Sequence, residues 1–479
     1  MSNGDERRYA DKRASFSKTL PHDDLGEVHR ADFARFVAIV ERGDADAFET
    51  MPRDALAVER LNDPQAMYAY DFVGSDSAAI PMVPPPAFAS AQTATEMAEL
   101  YWHALTRDVP FASYSTNATV AAAAADLNAF SPALGRTGAN AITPATLFRC
   151  AFAGARKGPF VSQFLWLDVP YGAMTVVQRY PAPAPGQNFV TGAAEWLACQ
   201  RGAAATKKVG YGPARRLASN ADLAAYVHKD FSFQAFMHAA LIAVGYGPEA
   251  LSRTNPYRDS KTQFGDITFG NKMFLTTIAQ AALIGQKTSY YHKWLIHRRG
   301  RPEATGGRLH YQLSGRKDYG LHADLVRCDG VARNTSLHGT ALLPIAYPEG
   351  SPTHPAYPAA HACTAGACAT VLKAFFNEAF AMPNAVVADA TGETLLPWTG
   401  EAMTLGGEFE KLAANIAFAR HAAGVHYRSD SVAGLLAGEA QGIALLSDYS
   451  RAFNERYDGF ELTTFAGKRV RIRNGTVTA

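Results

Sequence analysis

What this chain lacks narrows the field first. No uninterrupted apolar run approaches the ~18 residues that a membrane span needs, so no spanning helix is expected. Cysteine is scarce. Cys150, Cys199, Cys328, Cys363 and Cys368 are odd in number and fit no zinc spacing, which points to reduced, buried thiols. Charge is thin, with 19% of residues charged and a formal net charge of +2. Without a basic block there is no electrostatic case for nucleic acid or an anionic membrane. Arg7-Arg8 is not followed by an apolar run, so no secretory signal is read, and a soluble cytoplasmic protein is expected. In that setting the sequons at Asn117, Asn334 and Asn474 carry no weight. No internal repeat and no clear domain break interrupt the chain.

What is present is apolar and helical. The chain is 48% hydrophobic over 479 residues, enough for a large core. Residues 1–30 read as a polar arm that packs on something else. Residues 31–479 read as a single, mostly helical domain with bundle packing and minor short β-hairpins. Helical patterning runs through 31–59, 93–105, 117–130, 191–202, 219–247, 271–299, 408–423 and 428–453. Ser219 ahead of Asp222 marks a capped start. Residues 75–92, with three consecutive prolines at 84–86, read as a linker or surface strap. Residues 159–187 suggest a hairpin or strap, and 384–407 an irregular stretch with a small hairpin. The Gly-rich 300–350 region reads as a long connection of the kind that lines a site.

The organising stretch is Ser351 to Cys368. Pro352, Pro355 and Pro358 stiffen a loop carrying His354 and His361, and the loop ends where an Ala-rich helix, running to about Phe380, can begin. A helix start favours an anion. Three other pieces converge on it within 290–430. Lys293 and Arg301 flank the end of the 271–299 helix. Arg420 follows in Ala-Arg-His-Ala-Ala-Gly-Val-His. Asp430 stands four residues beyond His426, so that a helix beginning near His426 would place both on one face. Taken singly, each is an ordinary helix-end cation, loop histidine or structural pair. Together, three cations suit a tetrahedral oxyanion, with arginine binding in a bidentate way and lysine as a point charge. His426 then faces the central atom as nucleophile or metal ligand, with its ring oriented by Asp430, while His361 and His354 handle protons.

Order and spacing here resemble the vanadium-dependent haloperoxidases of the type 2 phosphatidic acid phosphatase superfamily, most closely the algal bromoperoxidase branch and its bacterial relatives. The resemblance is carried by 293–307 (KWLIHRRGRPEATGG), 349–362 (EGSPTHPAYPAAHA) and 408–430 (EFEKLAANIAFARHAAGVHYRSD), and weakly by 108–114, 159–172 and 191–202. It implies an all-α fold and a vanadate cofactor whose metal is bound by His426. Lys293, Arg301, Arg420 and the backbone at Ala359 and Ala360 would hold the oxygens. His361 would be the acid–base histidine, His354 an extra histidine toward halide entry, and Asp430 the orienting carboxylate. It also implies hydrogen peroxide as co-substrate, halide (bromide rather than chloride) and a small organic molecule as partners, and a homodimer or higher homo-oligomer. His292 is either a halide-side residue or a helix-surface histidine.

One departure stands out. The family's Pro-Ser-Gly-His is here Pro358-Ala359-Ala360-His361, so a hydroxyl that bonds vanadate is missing, with Thr364 a neighbouring substitute. The alternatives are a vanadate-sensitive phosphatase, with phosphate in the site and His426 as nucleophile, a halide-independent biosynthetic homologue, or a protein that holds an oxyanion without chemistry.

Overall fold

The computed structural model describes residues 2–131 and 141–479. At its centre is the Ala360–Phe375 helix, in which every side chain from Ala362 onward is buried. Its main neighbours are the Asn271–Tyr291, Leu405–Ala422 and Arg428–Tyr449 helices. Small residues allow these backbones to meet. A Cβ at Gly438 would stand 2.0 Å from the Cys363 carbonyl oxygen, and one at Gly366 would stand 2.1 Å from that of Leu435. The Ala, Gly and Cys content of 360–369 therefore reflects packing: larger side chains would hold the helices apart.

Around this centre Phe274, Ile278, Phe409, Leu412, Leu435 and Leu445 build the largest apolar core. A second core gathers Trp102, Trp196, Leu309 and Leu343. The third draws on the N-terminal arm: Phe16, Leu20 and Val28 pack with Phe33, Phe36 and Trp294. The arm also pairs its backbone with the segment that follows Lys293. Phe16 N–H donates to Arg298 O at 2.8 Å, and Gly300 N–H donates to Ala14 O at 2.8 Å.

The fold is helical, and its strands form short antiparallel pairs. Val169–Tyr171 pairs with Met174–Val176, and Tyr180–Pro183 with Tyr211–Arg215. The hairpin expected within 384–407 is Val386–Ala388 with Leu395–Pro397. A three-stranded sheet, Phe460–Thr463, Arg469–Arg473 and Thr476–Thr478, follows the last helix and was not anticipated; Phe460, Leu462, Val470 and Ile472 face its buried side. Among the described residues no helix is long and apolar enough to cross a membrane.

Four expectations need correction. The 300–350 region is not a bare connection, since it holds the Pro302–Leu313, Ala323–Val326 and Asp329–His338 helices. Gly306 and Gly307 lower its apparent helix propensity, yet both are close contacts: a Cβ on Gly307 would meet the Trp196 ring at 2.0 Å. The 31–59 helix stops early, at Gly43 in the left-handed region. The 219–247 stretch is two helices, Asn220–Lys229 and Gln234–Val244, separated at Asp230. The long 271–299 helix ends at Tyr291 and continues as a π-helical turn, His292–His297. Such turns are frequent at functional sites, and this one carries Lys293.

Candidate active site

A cavity of about 510 Å³ opens where the 351–359 loop meets the ends of several helices, and His354, Ala360, His361, Arg420 and His426 line it. The three candidate cations converge at and beneath it. Lys293 is fully buried and donates to the carbonyls of Pro355 (2.7 Å) and Ala356 (3.1 Å). Arg301 donates from Nε to His354 O at 2.8 Å and from Nη1 to Val425 O at 2.8 Å. Arg420 donates from Nη1 to Val227 O at 2.8 Å and to the Tyr347 hydroxyl at 3.2 Å, while its buried Nε finds no partner. Among the described residues, no carboxylate lies within ion-pair distance of any of the three. Burial and then the Arg301 charge hold the Lys293 ammonium well below the usual lysine range. Burial and then Arg420 pull Arg301 down to about 9. Positive charge is thus gathered, desolvated and left without a counter-ion, which is an environment for an anion.

His426 completes the arrangement. Its Nδ1 lies 3.0 Å from Asp430 Oδ2, and its Nε2 lies 2.8 Å from Arg301 Nη1. A guanidinium only donates, so Nε2 is the accepting nitrogen and Nδ1 carries the proton. Burial, followed by Arg301, Lys293 and Arg420, keeps the ring neutral by lowering its pKa well below the usual histidine value. The Arg428–Tyr449 helix begins two residues after His426, so the pair does not share a helix face as expected. Asp430 instead reaches back across the helix start. Its Oδ2 also accepts from Tyr427 N–H at 2.9 Å, and its Oδ1 accepts from Arg299 Nη1 at 2.8 Å.

His354 is buried against Arg301, with Nδ1 3.0 Å from Nη2, and its own pKa is well lowered by burial and then by Lys293. His361, the second residue of the central helix, points Nε2 at Asp230 Oδ1 at 3.0 Å and is partly exposed to the cavity. Ala359 is fully buried just before that helix and offers no side-chain cap, while its N–H donates to Asp430 O at 2.9 Å. Ala360 lines the cavity. Thr364 does not, and its buried hydroxyl has no partner. His292 neither lines the cavity nor sits on the surface: it is buried, stacked on His297 at 5.9 Å, with its pKa lowered to about 4 by burial.

Several residues of this site had no assigned role. Arg299 fastens Asp430 and lies 3.8 Å over the Tyr427 ring; it sits within the 293–307 motif, between Arg298 and Gly300, with no spacing that singles it out. Asp230 and the His228–Glu349 pair, at 2.5 Å, also face the cavity. Asp230 comes from an interhelical break, His228 from the last turn of the Asn220–Lys229 helix and Glu349 from a loop, and no spacing in the chain marks them. Lys18 reaches the cavity from the N-terminal arm, donating to Glu349 O at 2.7 Å and Ser351 O at 2.6 Å.

The donor set fits a tetrahedral oxyanion such as vanadate: uncompensated cations, an orphaned Arg420 Nε, and a neutral imidazole whose Nε2 lone pair accepts only from Arg301. Arg301 would have to move off Nε2 for anything to bind there.

Comparison with known proteins points the same way. Residues 330–455 match the family described as the VCPO second helical-bundle domain. A vanadium-dependent bromoperoxidase of Ascophyllum nodosum is 36% identical, over 98% of this chain and 88% of that protein. One of Corallina pilulifera is 30% identical over 96% and 91%. The homohexameric structure of the second vanadate-dependent bromoperoxidase of Ascophyllum nodosum superposes with a TM-score of 0.93 at 29% identity, covering 99% of this chain and 86% of that one.

Proposed function

This chain belongs to the vanadium-dependent haloperoxidase family of peroxide-dependent oxidoreductases, and we propose that it oxidises bromide with hydrogen peroxide to halogenate a small organic substrate. The observation that carries this reading is the cluster of Lys293, Arg301 and Arg420, without counter-ions, around the lone pair of His426. When bound, vanadate would supply the Lewis acidity that activates hydrogen peroxide toward halide. Lys293, Arg301 and Arg420 would hold its oxygens, and His426 Nε2 its metal. Asp430, fastened by Arg299, fixes the proton on Nδ1 and keeps Nε2 available. His361, whose Nε2 is held by Asp230, has Nδ1 left to exchange a proton with peroxide. His354 positions Arg301.

The missing serine hydroxyl at Ala359 leaves the cradle short of one bond to a charged oxygen, worth about 1.5–3 kcal/mol, or roughly tenfold to a hundredfold in affinity. The family chemistry survives, with weaker cofactor retention. We further propose a homo-oligomer, since the superposing relative is homohexameric; light scattering on purified protein checks it.

The direct test adds orthovanadate, peroxide and bromide to the purified protein and follows bromination of a phenol dye. Turnover that requires vanadate is the expected result. Its absence at saturating vanadate would overturn the reading. Phosphate release from a phosphomonoester, inhibited by vanadate, would then assign the same cradle to phosphoryl transfer.

A further inference from the structure

The N-terminal arm sets a lysine against a cysteine at the edge of the active-site cavity. Lys18 and Cys199 are 181 residues apart, and Cys199 belongs to the Ala193–Gln200 helix, yet Lys18 Nζ lies 3.3 Å from Cys199 Sγ. All five cysteines are free and buried, and among the described residues Cys199 is the one whose sulfur accepts from a lysine. The ammonium is held in place by its other partners. It donates to Glu349 O at 2.7 Å and to Ser351 O at 2.6 Å, and Glu303 Oε1 lies 3.7 Å away.

This pair borders the chemistry. Lys18, Glu349, Gly350 and Ser351 line the same cavity as His361 and His426. The sulfur stands directly behind Gly350: a Cβ there would lie 2.4 Å from Cys199 Sγ and 2.2 Å from Glu303 Oε2. Glycine at 350 therefore leaves the thiol one backbone's depth from the cavity. Burial and then Glu303 push the thiol up to about 12, so it stays protonated and slow toward peroxide, because the thiolate is the nucleophile. Oxidised halogen is the stronger electrophile and arises on the other side of that glycine.

We propose that Lys18 and Cys199 form a modification site, where hypobromous acid made in the cavity joins sulfur to nitrogen as a sulfenamide and ties the arm to the cavity wall. The proposal takes its oxidant from the haloperoxidase reading and rests on it. The steps balance. Sulfur gives two electrons to the halogen: an S–Br bond forms, the O–Br bond breaks, and the thiol proton leaves with the hydroxide as water. Lys18 passes one ammonium proton to Glu303, and the freed lone pair displaces bromide from sulfur. A second proton leaves the nitrogen for solvent. Held at contact distance, the amine outcompetes water for the activated sulfur. The product keeps one N–H of the ammonium's three and carries no charge, so the cavity loses a cation. A thiol reductant, supplying two electrons and two protons, restores both side chains.

Peptide mass mapping of the full chain tests this in two arms. In the first, reagent hypobromite in small molar excess is added to the protein without vanadate. In the second, vanadate, peroxide and bromide turn over while free methionine in solution consumes halogen that escapes. Both should yield a peptide joining Lys18 to Cys199, two hydrogens lighter than the sum of its parts and lost on treatment with dithiothreitol. Peroxide without bromide should yield at least about tenfold less, since the thiol is protonated. Lys18→Arg keeps the cation without a free amine, and Cys199 should then be recovered as its oxygen acids with no cross-link. Absence of the joined peptide in the first arm would overturn the proposal, as would equal yield from peroxide alone. In a chain that forms tribromide, a cross-link from reagent but none during turnover would overturn it too. If no tribromide forms at saturating vanadate, the haloperoxidase reading fails, while the reagent arm still judges the pair.

Discussion

Lys293 carries a heavy electrostatic load. It is fully buried, has two carbonyl partners, and faces Arg301. A carboxylate there would stabilise the fold and destroy the site, so an exchangeable anion is the counter-ion that function allows. Lys293→Met should therefore raise thermal stability in the anion-free protein and lower vanadate affinity by at least tenfold, since a hydrogen bond to a charged oxygen is worth about 1.5–3 kcal/mol. Thermal melts with and without vanadate read both effects; a variant that loses stability and keeps affinity would remove Lys293 from the cradle. Ala359 gives the converse case. Its side chain is buried immediately before the central helix, with no cap in place. The Ala359→Ser, Ala360→Gly double substitution should tighten vanadate by roughly tenfold to a hundredfold by returning the hydroxyl and the close backbone approach. A titration showing no gain would mean that the modified cradle binds through other groups. Asp430→Asn leaves shape intact but offers Nδ1 an amide and takes the carboxylate from Arg299. Cofactor-loaded activity should fall by about tenfold to a hundredfold, the range for groups that orient metal-binding histidines.

At the scale of elements, the central helix decides where the histidines stand. Its start carries Ala360 and His361, and one turn later the Cys363 carbonyl packs against Gly438. Gly438→Ala would force the Ala360–Phe375 and Arg428–Tyr449 helices apart. It should cost about 1–3 kcal/mol from overpacking, with vanadate affinity falling alongside stability because Asp430 rides on the second helix. Denaturant melts and a vanadate titration on the same variant check it; lost stability with intact affinity would uncouple the two. The same elements show what the chain's pattern reveals. Lys293, Arg301, His354, His361, Arg420, His426 and Asp430 were legible because each stands in a short motif with fixed order, and the structure brings them together. The Pro302–Leu313 helix was not legible, because Gly306 and Gly307 answer to Leu343 and Trp196, which are distant in sequence. Asp230 was hidden for a related reason: the apolar periodicity of 219–247 runs straight across the break in which it sits. The closeness of Arg301 to His426 Nε2 belongs to tertiary geometry alone.

Over the whole molecule, the buried histidines set a direction for acid stability. The chain has 14 histidines, and eight of them (His22, His103, His238, His292, His297, His354, His421 and His426) are buried. In each the pKa is lowered first by burial, to about 3 for His22 and His297, about 4 for His292, well below the usual value for His103, His354, His421 and His426, and in the same direction for His238. A histidine held neutral in the fold binds its proton only in the unfolded chain once pH falls below about 6.5, so stability is complete above that pH and is lost as pH drops toward the folded values. Each fully titrating group contributes a slope of about 1.4 kcal/mol per pH unit. Glu96, Glu378 and Glu439 act in the opposite sense, since burial raises their pKa and the fold takes up protons first, but they are three against eight and begin nearer pH 4.5. Several histidines titrating together between pH 6.5 and 4.5 remove free energy on the scale of a domain's whole stability, about 5–15 kcal/mol. The anion-free protein should therefore unfold cooperatively on mild acidification, before its carboxylates titrate. Urea melts from pH 7.5 to 5 should show the midpoint falling with each step. Saturating vanadate should offset part of the loss, because an anion held by Lys293, Arg301 and His426 binds the folded state alone. A midpoint that stays flat between pH 7 and 5 would show that these rings take up protons within the fold, and the neutral His426 lone pair on which the cofactor site depends would fail with it.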